Sequence, residues 1–87
     1  MQIIKKDGRI EKFDINKLKA SIENSANDIN FPITESDLNI VLNDIKKILN
    51  LLRENSSLTS SYEVRGIVYH VLINSGFSSV CKSYMDI

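Results

Sequence analysis

The first nineteen residues constrain the fold more than any other part of the chain. Two short runs with apolar residues, 1–6 and 9–13, flank the pair Asp7 and Gly8. Asp-Gly is a preferred pair for a two-residue type I′ turn, because both central residues of that turn need a positive φ. We therefore predict a β-hairpin over residues 1–13. A lone hairpin is barely stable in water, so this one is expected to pack on an apolar surface.

Helical patterns fill the rest of the chain, and we predict four helices over about residues 14–29, 34–54, 60–75 and 78–87. Their apolar residues recur at spacings of three and four, which places them on one face of each helix. Asp14 is the expected N-cap of the first helix, and Pro32 prevents its continuation. Residues 34–37 and 60–63 have the composition of capping boxes, and Gly76 is a typical helix stop.

The length of 87 residues allows one domain with a small core. Residues 54–58 are predicted to form a polar loop. The apolar pattern still runs at Ile87, and we expect the domain, residues 1–87, to have been excised from a longer polypeptide. No apolar run approaches the roughly 18 residues of a membrane span, so no membrane partner is expected. Cys81 is the only cysteine and cannot form an internal disulfide, which favours a cytoplasmic location.

Positive charge is concentrated at the N-terminus of a chain that is neutral overall. Residues 1–19 contain six cations and three acids. A local cluster of this kind suits a compact anion better than a long nucleic acid, whose binding domains are usually basic as a whole. Lys5 and Lys6, as neighbours on a strand, would point to opposite faces. The alternative is that these cations are solvated and protect an edge strand.

The predicted start of the third helix is a second candidate for anion binding. Ser60 and Ser61 place hydroxyl groups at a helix N-terminus, and Arg65 lies one turn later. The alternative is simple helix capping. Neither a catalytic constellation nor a metal-ligand pattern is recognised, and His70 is expected to be exposed or half-exposed beside the apolar stripe. Any nucleotide site would be neither a P-loop nor a Rossmann site, because both glycine motifs are missing.

Taken together, these features resemble the ATP-cone domain, a small allosteric module at the N-terminus of ribonucleotide reductases. Three segments carry the resemblance, in order and at matching spacing. Residues 3–18 contain an apolar pair, two lysines and Asp-Gly in that order. They are followed by Phe-Asp, which leads into the basic start of the first predicted helix. Residues 60–65 match the entry to the third helix, and residues 76–84 match the Gly-to-Tyr ending. Arg65 stands where many relatives carry His or Gln.

The resemblance implies a mainly helical α+β fold, a four-helix bundle capped by a small N-terminal β-hairpin sheet. It places a nucleotide beneath the sheet. It also assigns eight residues to that nucleotide, with Ile3, Glu11 and Asp14 near the base and Lys5, Lys6, Lys17, Ser61 and Arg65 near the phosphates.

The function implied is allosteric binding of ATP or dATP, with Mg²⁺, which controls the overall activity of a ribonucleotide reductase. The domain itself is expected to be non-catalytic. The expected parent protein is an anaerobic ribonucleoside-triphosphate reductase, and the expected partner of the domain is the catalytic domain of that enzyme. Self-association of the domain is a further possibility that the resemblance leaves open. Two alternatives remain: a small helical nucleic-acid-binding domain, and a degenerate cone that acts only as an interaction module.

Overall fold

The computed structural model describes residues 1–53 and 58–86, which form three short strands and four helices. In chain order the elements are β1 (Gln2–Ile4), β2 (Ile10–Lys12), α1 (Ile15–Asp28), α2 (Glu35–Arg53), β3 (Leu58–Ser60), α3 (Ser61–Asn74) and α4 (Ser78–Met85). The predicted class, mainly helical α+β with a small N-terminal sheet, is confirmed. The predicted helix ends at residues 54 and 87 and the predicted loop over 54–57 lie outside the described residues.

The sheet has a third strand that the sequence analysis missed. Its order is β2-β1-β3, with β1 antiparallel to β2 and parallel to β3. Ile3 in the central strand lies opposite Glu11 on one side and Thr59 on the other. A loop was predicted through Leu58, because three residues are too few to show an alternating pattern. The strand forms through its backbone pairing with β1, which local sequence cannot reveal.

The hairpin turn also differs from the predicted type I′ turn. The Gly8 N–H donates to the Lys5 carbonyl (2.9 Å), and the Lys5 N–H donates to the Arg9 carbonyl (2.8 Å). Gly8 has a φ of 88°, whereas Asp7 does not have a positive φ. The loop therefore has three residues and ends at a left-handed glycine. Asp7 supports it through its side chain, because Oδ1 accepts the Arg9 N–H (3.1 Å).

The core lies between the helices and the inner face of the sheet. α1 packs against α2 and α4, and α3 packs against α2 and α4. The buried apolar residues are Ile3, Leu18, Ile22, Ala26, Leu38, Val41, Leu42, Ile45, Leu49, Val64, Val68, Val71, Leu72, Val80 and Cys81. Ile29, the last residue of the first predicted helix, is 42% exposed because α1 ends at Asp28. No helix in the described ranges is both long and apolar enough to cross a bilayer.

The connections between helices are held by an aromatic pair and a glycine. Phe31, after α1, meets Phe77, before α4, edge to face at a centroid distance of 5.9 Å. Gly76 has a φ of 85°, and the Phe77 N–H donates back to the Leu72 carbonyl (2.9 Å). The left-handed glycine thus ends α3 as predicted, and the chain turns directly into α4.

Thr34, immediately before α2, forms the predicted reciprocal cap with Asp37. The Asp37 N–H donates to Thr34 Oγ1 (3.0 Å), and the Thr34 N–H donates to Asp37 Oδ2 (3.2 Å). We expect Thr34→Ala to lower the free energy of unfolding by about 1 kcal/mol, measured by urea denaturation, because an orphan N–H loses its acceptor. Thr34→Ser keeps the hydroxyl and is the control. Equal losses in the two variants would contradict a capping role.

Candidate functional site

A cavity of about 290 Å³ lies where the sheet meets the starts of α1 and α3. The loop after β1 and strand β2 form one side, the first turns of α1 and α3 form two more, and the end of α4 closes the back. Its wall consists of Ile3, Lys5, Lys6, Glu11, Lys12, Phe13, Asp14, Lys17, Leu18, Ser21, Ser61, Tyr62, Val64, Arg65 and Tyr84. The residues that line this cavity therefore come from separate parts of the chain.

All eight residues that the sequence analysis assigned to a ligand lie in this wall. They come from five elements or connections: Ile3 from β1, Lys5 and Lys6 from the loop, Glu11 from β2, Asp14 and Lys17 from the start of α1, and Ser61 and Arg65 from α3. The structure thus brings the predicted set together around one space. That these residues bind a nucleotide is a separate claim, which stays a prediction.

Lys5 and Lys6 both reach the cavity, although strand alternation had predicted opposite directions. β1 ends at Ile4, so neither lysine belongs to a strand, and the period of two does not apply. Lys5 Nζ lies 3.6 Å from Glu11 Oε2. Lys6 Nζ lies 5.9 Å from the ring centroid of Tyr62, within the range of a cation–π contact. Both lysines therefore line the cavity next to other residues of its wall.

Two carboxylates share the wall with these cations. Glu11 lies between Lys5 and Arg9, with Arg9 Nη1 3.6 Å from its Oε1. Asp14 caps α1 as predicted, because its Oδ1 accepts the Asn16 N–H (2.9 Å). Both acids therefore have protein partners. In the part of the chain that the structure describes, five cationic side chains and only these two acidic ones line the cavity, so an anion would be attracted to it.

The start of α3 offers an unused hydroxyl group to the cavity. Ser60 is the N-cap, and its Oγ accepts the Glu63 N–H (3.1 Å), while the Thr59 hydroxyl donates to the Glu63 carboxylate. Ser61 Oγ is buried, yet it has no hydrogen-bond partner among the described residues. A buried polar atom of this kind costs roughly 1–3 kcal/mol. A ligand oxygen at the positive end of the helix would satisfy it.

The back of the cavity is formed by Arg65 on α3 and Tyr84 on α4. Arg65 donates from Nε to Met85 Sδ (3.3 Å) and from Nη2 to the Met85 carbonyl (3.0 Å). Burial raises the pKa of the Tyr84 hydroxyl above its ordinary value, and the Arg65 charge partly offsets this effect. The guanidinium is thus oriented by the last turn of α4, next to a tyrosine that is neutral at physiological pH.

Sequence reasoning missed seven residues of the wall: Lys12, Phe13, Leu18, Ser21, Tyr62, Val64 and Tyr84. Leu18 and Val64 belong to the buried core and also line the cavity. Lys12 could have been found from the basic hairpin. Tyr84 could not, because its position depends on how α4 packs against α1 and α3.

The geometry fits a compact anion that also has an apolar part. Cations gather at the loop, α1 and α3, whereas Ile3, Phe13, Leu18 and Val64 provide an apolar floor. His70 lies on the exposed side of α3, as predicted, and does not line this cavity. Across residues 1–53 and 58–86, no group of three or more potential metal-binding side chains occurs.

Comparison with known families gives a match along the whole chain. The model of the ATP cone domain matches residues 1–87. No curated protein sequence matches the chain.

Proposed function

The chain belongs to the ATP-cone domain family, whose members are nucleotide-binding allosteric regulatory modules, and we propose that the cavity beneath its sheet binds ATP or dATP. The observation that carries this proposal is the convergence of five cations on a space that also contains the Ser61 hydroxyl, which has no hydrogen-bond partner in residues 1–53 and 58–86. Charge-assisted hydrogen bonds to phosphate are roughly twice as strong as neutral ones. A triphosphate therefore suits the wall better than a neutral ligand does.

We assign the phosphates to the cationic side of the cavity and the base to its apolar side. Lys5, Lys6 and Lys17 meet the phosphates from the loop and α1, while Ser61 and Arg65 meet them from α3. This division is supported by the two helix starts, whose first-turn N–H groups lack intrahelical acceptors and favour anions.

The adenine is assigned to the side of the cavity that is lined by the sheet. Ile3 is buried in the central strand and offers an apolar surface to a ring. Glu11 and Asp14 are carboxylates, which accept hydrogen bonds, and the exocyclic amine of adenine is a donor. Guanine presents a carbonyl at the same place on its ring, so these acids would disfavour it.

Magnesium, in this proposal, arrives with the triphosphate. Mg²⁺ in nucleotide sites is usually bound by phosphate oxygens and water, with one or two carboxylates. The described residues hold no cluster of three or more metal-binding side chains. Glu11 and Asp14 are the carboxylates near enough to the cavity to contribute.

The regulated partner, we further propose, is the catalytic domain of an anaerobic ribonucleoside-triphosphate reductase in the cytoplasm. The resemblance of residues 3–18, 60–65 and 76–84 to the modules of ribonucleotide reductases supports this assignment. In such a protein ATP favours the active state and dATP the inhibited one. The two nucleotides would then bind the same cavity but stabilise different arrangements of the domain and its partner, with self-association as one form of the inhibited state.

Isothermal calorimetry with ATP, dATP and GTP in the presence of Mg²⁺ tests the ligand directly. We expect ATP and dATP to bind with a 1:1 or higher stoichiometry and GTP to bind at least tenfold more weakly, about 1.4 kcal/mol. At a free concentration about 100 times the dissociation constant, ATP should stabilise the fold by roughly 2.7 kcal/mol and raise its melting temperature. No heat and no thermal shift with millimolar ATP or dATP would rule the proposal out.

The same titration at two salt concentrations separates a pocket from diffuse charge attraction. Nucleic acid binding by a basic surface falls steeply with salt, because counterions are released from the phosphates. Binding of ATP through directed contacts should fall much less between about 50 and 200 mM salt. Tight binding of a DNA duplex, with the same steep salt dependence for ATP, would favour the nucleic-acid-binding alternative.

A further inference from the structure

Arg65 contacts the last turn of α4 through only one edge of its guanidinium. Nε and Nη2, which form that edge, donate to Met85 Sδ and to the Met85 carbonyl. Within the described part of the chain, no hydrogen bond is made by Nη1. A guanidinium has a second edge, Nη1 with Nη2, that can bind a phosphate in a bidentate manner. Arg65 itself lines the cavity.

We propose that Met85, at the end of α4, is a positioning residue that holds Arg65 by one edge so that the other edge faces the bound phosphates. This inference rests on the function proposed above. Arg65 then bridges the ligand and the last helical turn without having to move. Binding of the triphosphate must therefore stabilise the last turn of α4, and an ordered last turn must strengthen binding, because coupling between two sites is reciprocal.

The end of α4 is well placed for such coupling. Asp86 is the C-cap, and its N–H donates to the Lys82 carbonyl (2.9 Å). Tyr84, one residue before Met85, also lines the cavity. Tyr84 thus belongs to the cavity wall, and the adjacent Met85 contacts Arg65, which is also part of that wall. An occupant that fixes Arg65 would slow the opening of this turn, whereas a displaced turn would release Arg65.

Asp86→Pro tests the proposal without replacing any residue of the cavity wall. Asp86 has a φ of −72°, which proline adopts, but a proline there disfavours the helical conformation of Met85 and turns its carbonyl away. Asp86→Ala is the matched control, because it removes the same charge and leaves Met85 helical. We expect Asp86→Pro to bind ATP about fivefold more weakly than Asp86→Ala in calorimetry. Melting of both variants checks that they remain folded.

A double-mutant cycle with Arg65→Gln then separates positioning from general structural damage. Arg65→Gln alone should weaken ATP binding about tenfold. In that background the difference between Asp86→Pro and Asp86→Ala should shrink to less than twofold, because there is no guanidinium left to position. If Asp86→Pro unfolds, Met85→Leu is used in its place, because this variant loses only the sulfur acceptor. It should bind ATP about twofold more weakly than the unaltered protein, and this difference should disappear in the Arg65→Gln background.

Amide hydrogen exchange provides the reciprocal measurement. Saturating ATP should slow exchange of the Asp86 N–H severalfold in the unaltered protein and leave it unchanged in Arg65→Gln. Three results would overturn the positioning role while nucleotide binding stands. They are equal ATP affinities of Asp86→Pro and Asp86→Ala, a difference between these affinities that is unchanged in the Arg65→Gln background, or faster exchange of the Asp86 N–H with ATP. If ATP, dATP and tripolyphosphate all fail to bind the unaltered protein, the proposed function fails and takes this inference with it.

Discussion

Lys17→Ala is expected to weaken ATP binding by about 1.5–3 kcal/mol, and Lys6→Ala by a similar amount, because each removes a charge-assisted hydrogen bond to a phosphate. Lys17 lies in the first turn of α1 and lines the cavity. Within the described residues it forms no ion pair, so its whole charge is available to a ligand. Calorimetry with ATP and Mg²⁺ at one fixed salt concentration measures the change.

Lys47→Ala is the matched control for both variants. Lys47 is exposed on α2 and does not line the cavity, but its removal changes the net charge of the protein by the same amount. We expect its affinity for ATP to stay within about twofold of the unaltered protein. Equal losses from Lys6, Lys17 and Lys47 would mean that ATP is attracted by the overall charge, and the assignment of phosphates to this cavity would then be wrong.

Local pattern was enough to predict the helices, whereas the set of residues around the cavity was assigned from the family resemblance. The apolar spacing and the caps at Asp14, Thr34 and Ser60 each depend on residues within one or two turns of one another. Family resemblance added the pairing of distant segments, which spacing alone could not supply. For this reason all eight predicted residues lie in one wall, although they come from both ends of the chain.

What the sequence could not predict depends on contacts between distant segments. Strand β3 exists because β1 pairs with it, and Tyr84 reaches the cavity because α4 packs across α1 and α3. The contact between Arg65 and Met85 likewise joins two helices through a backbone carbonyl, which has no sequence signature. Lys5 and Lys6 were given opposite directions because the predicted strand was two residues too long.

Leu72→Ala is expected to produce the largest loss of stability, about 2–5 kcal/mol in the free energy of unfolding. Leu72 is completely buried on α3, and the shortened side chain would leave a cavity in the core between the helices. Domains of this size are stable by only roughly 5–15 kcal/mol, so the loss is a large fraction of the total. Urea denaturation followed by circular dichroism measures it.

Leu51→Ala makes the same chemical change at a position that is 63% exposed on α2, and its effect should stay within about 0.5 kcal/mol. The comparison also bears on function, because α3 carries Leu72 in its core face and Ser61 and Arg65 in the cavity wall. If binding requires the folded helix, ATP at about 100 times its dissociation constant should restore roughly 2.7 kcal/mol to Leu72→Ala. A Leu72→Ala protein that ATP does not stabilise, although it stabilises the unaltered protein, would show that the substitution disturbs the cavity wall as well as the core.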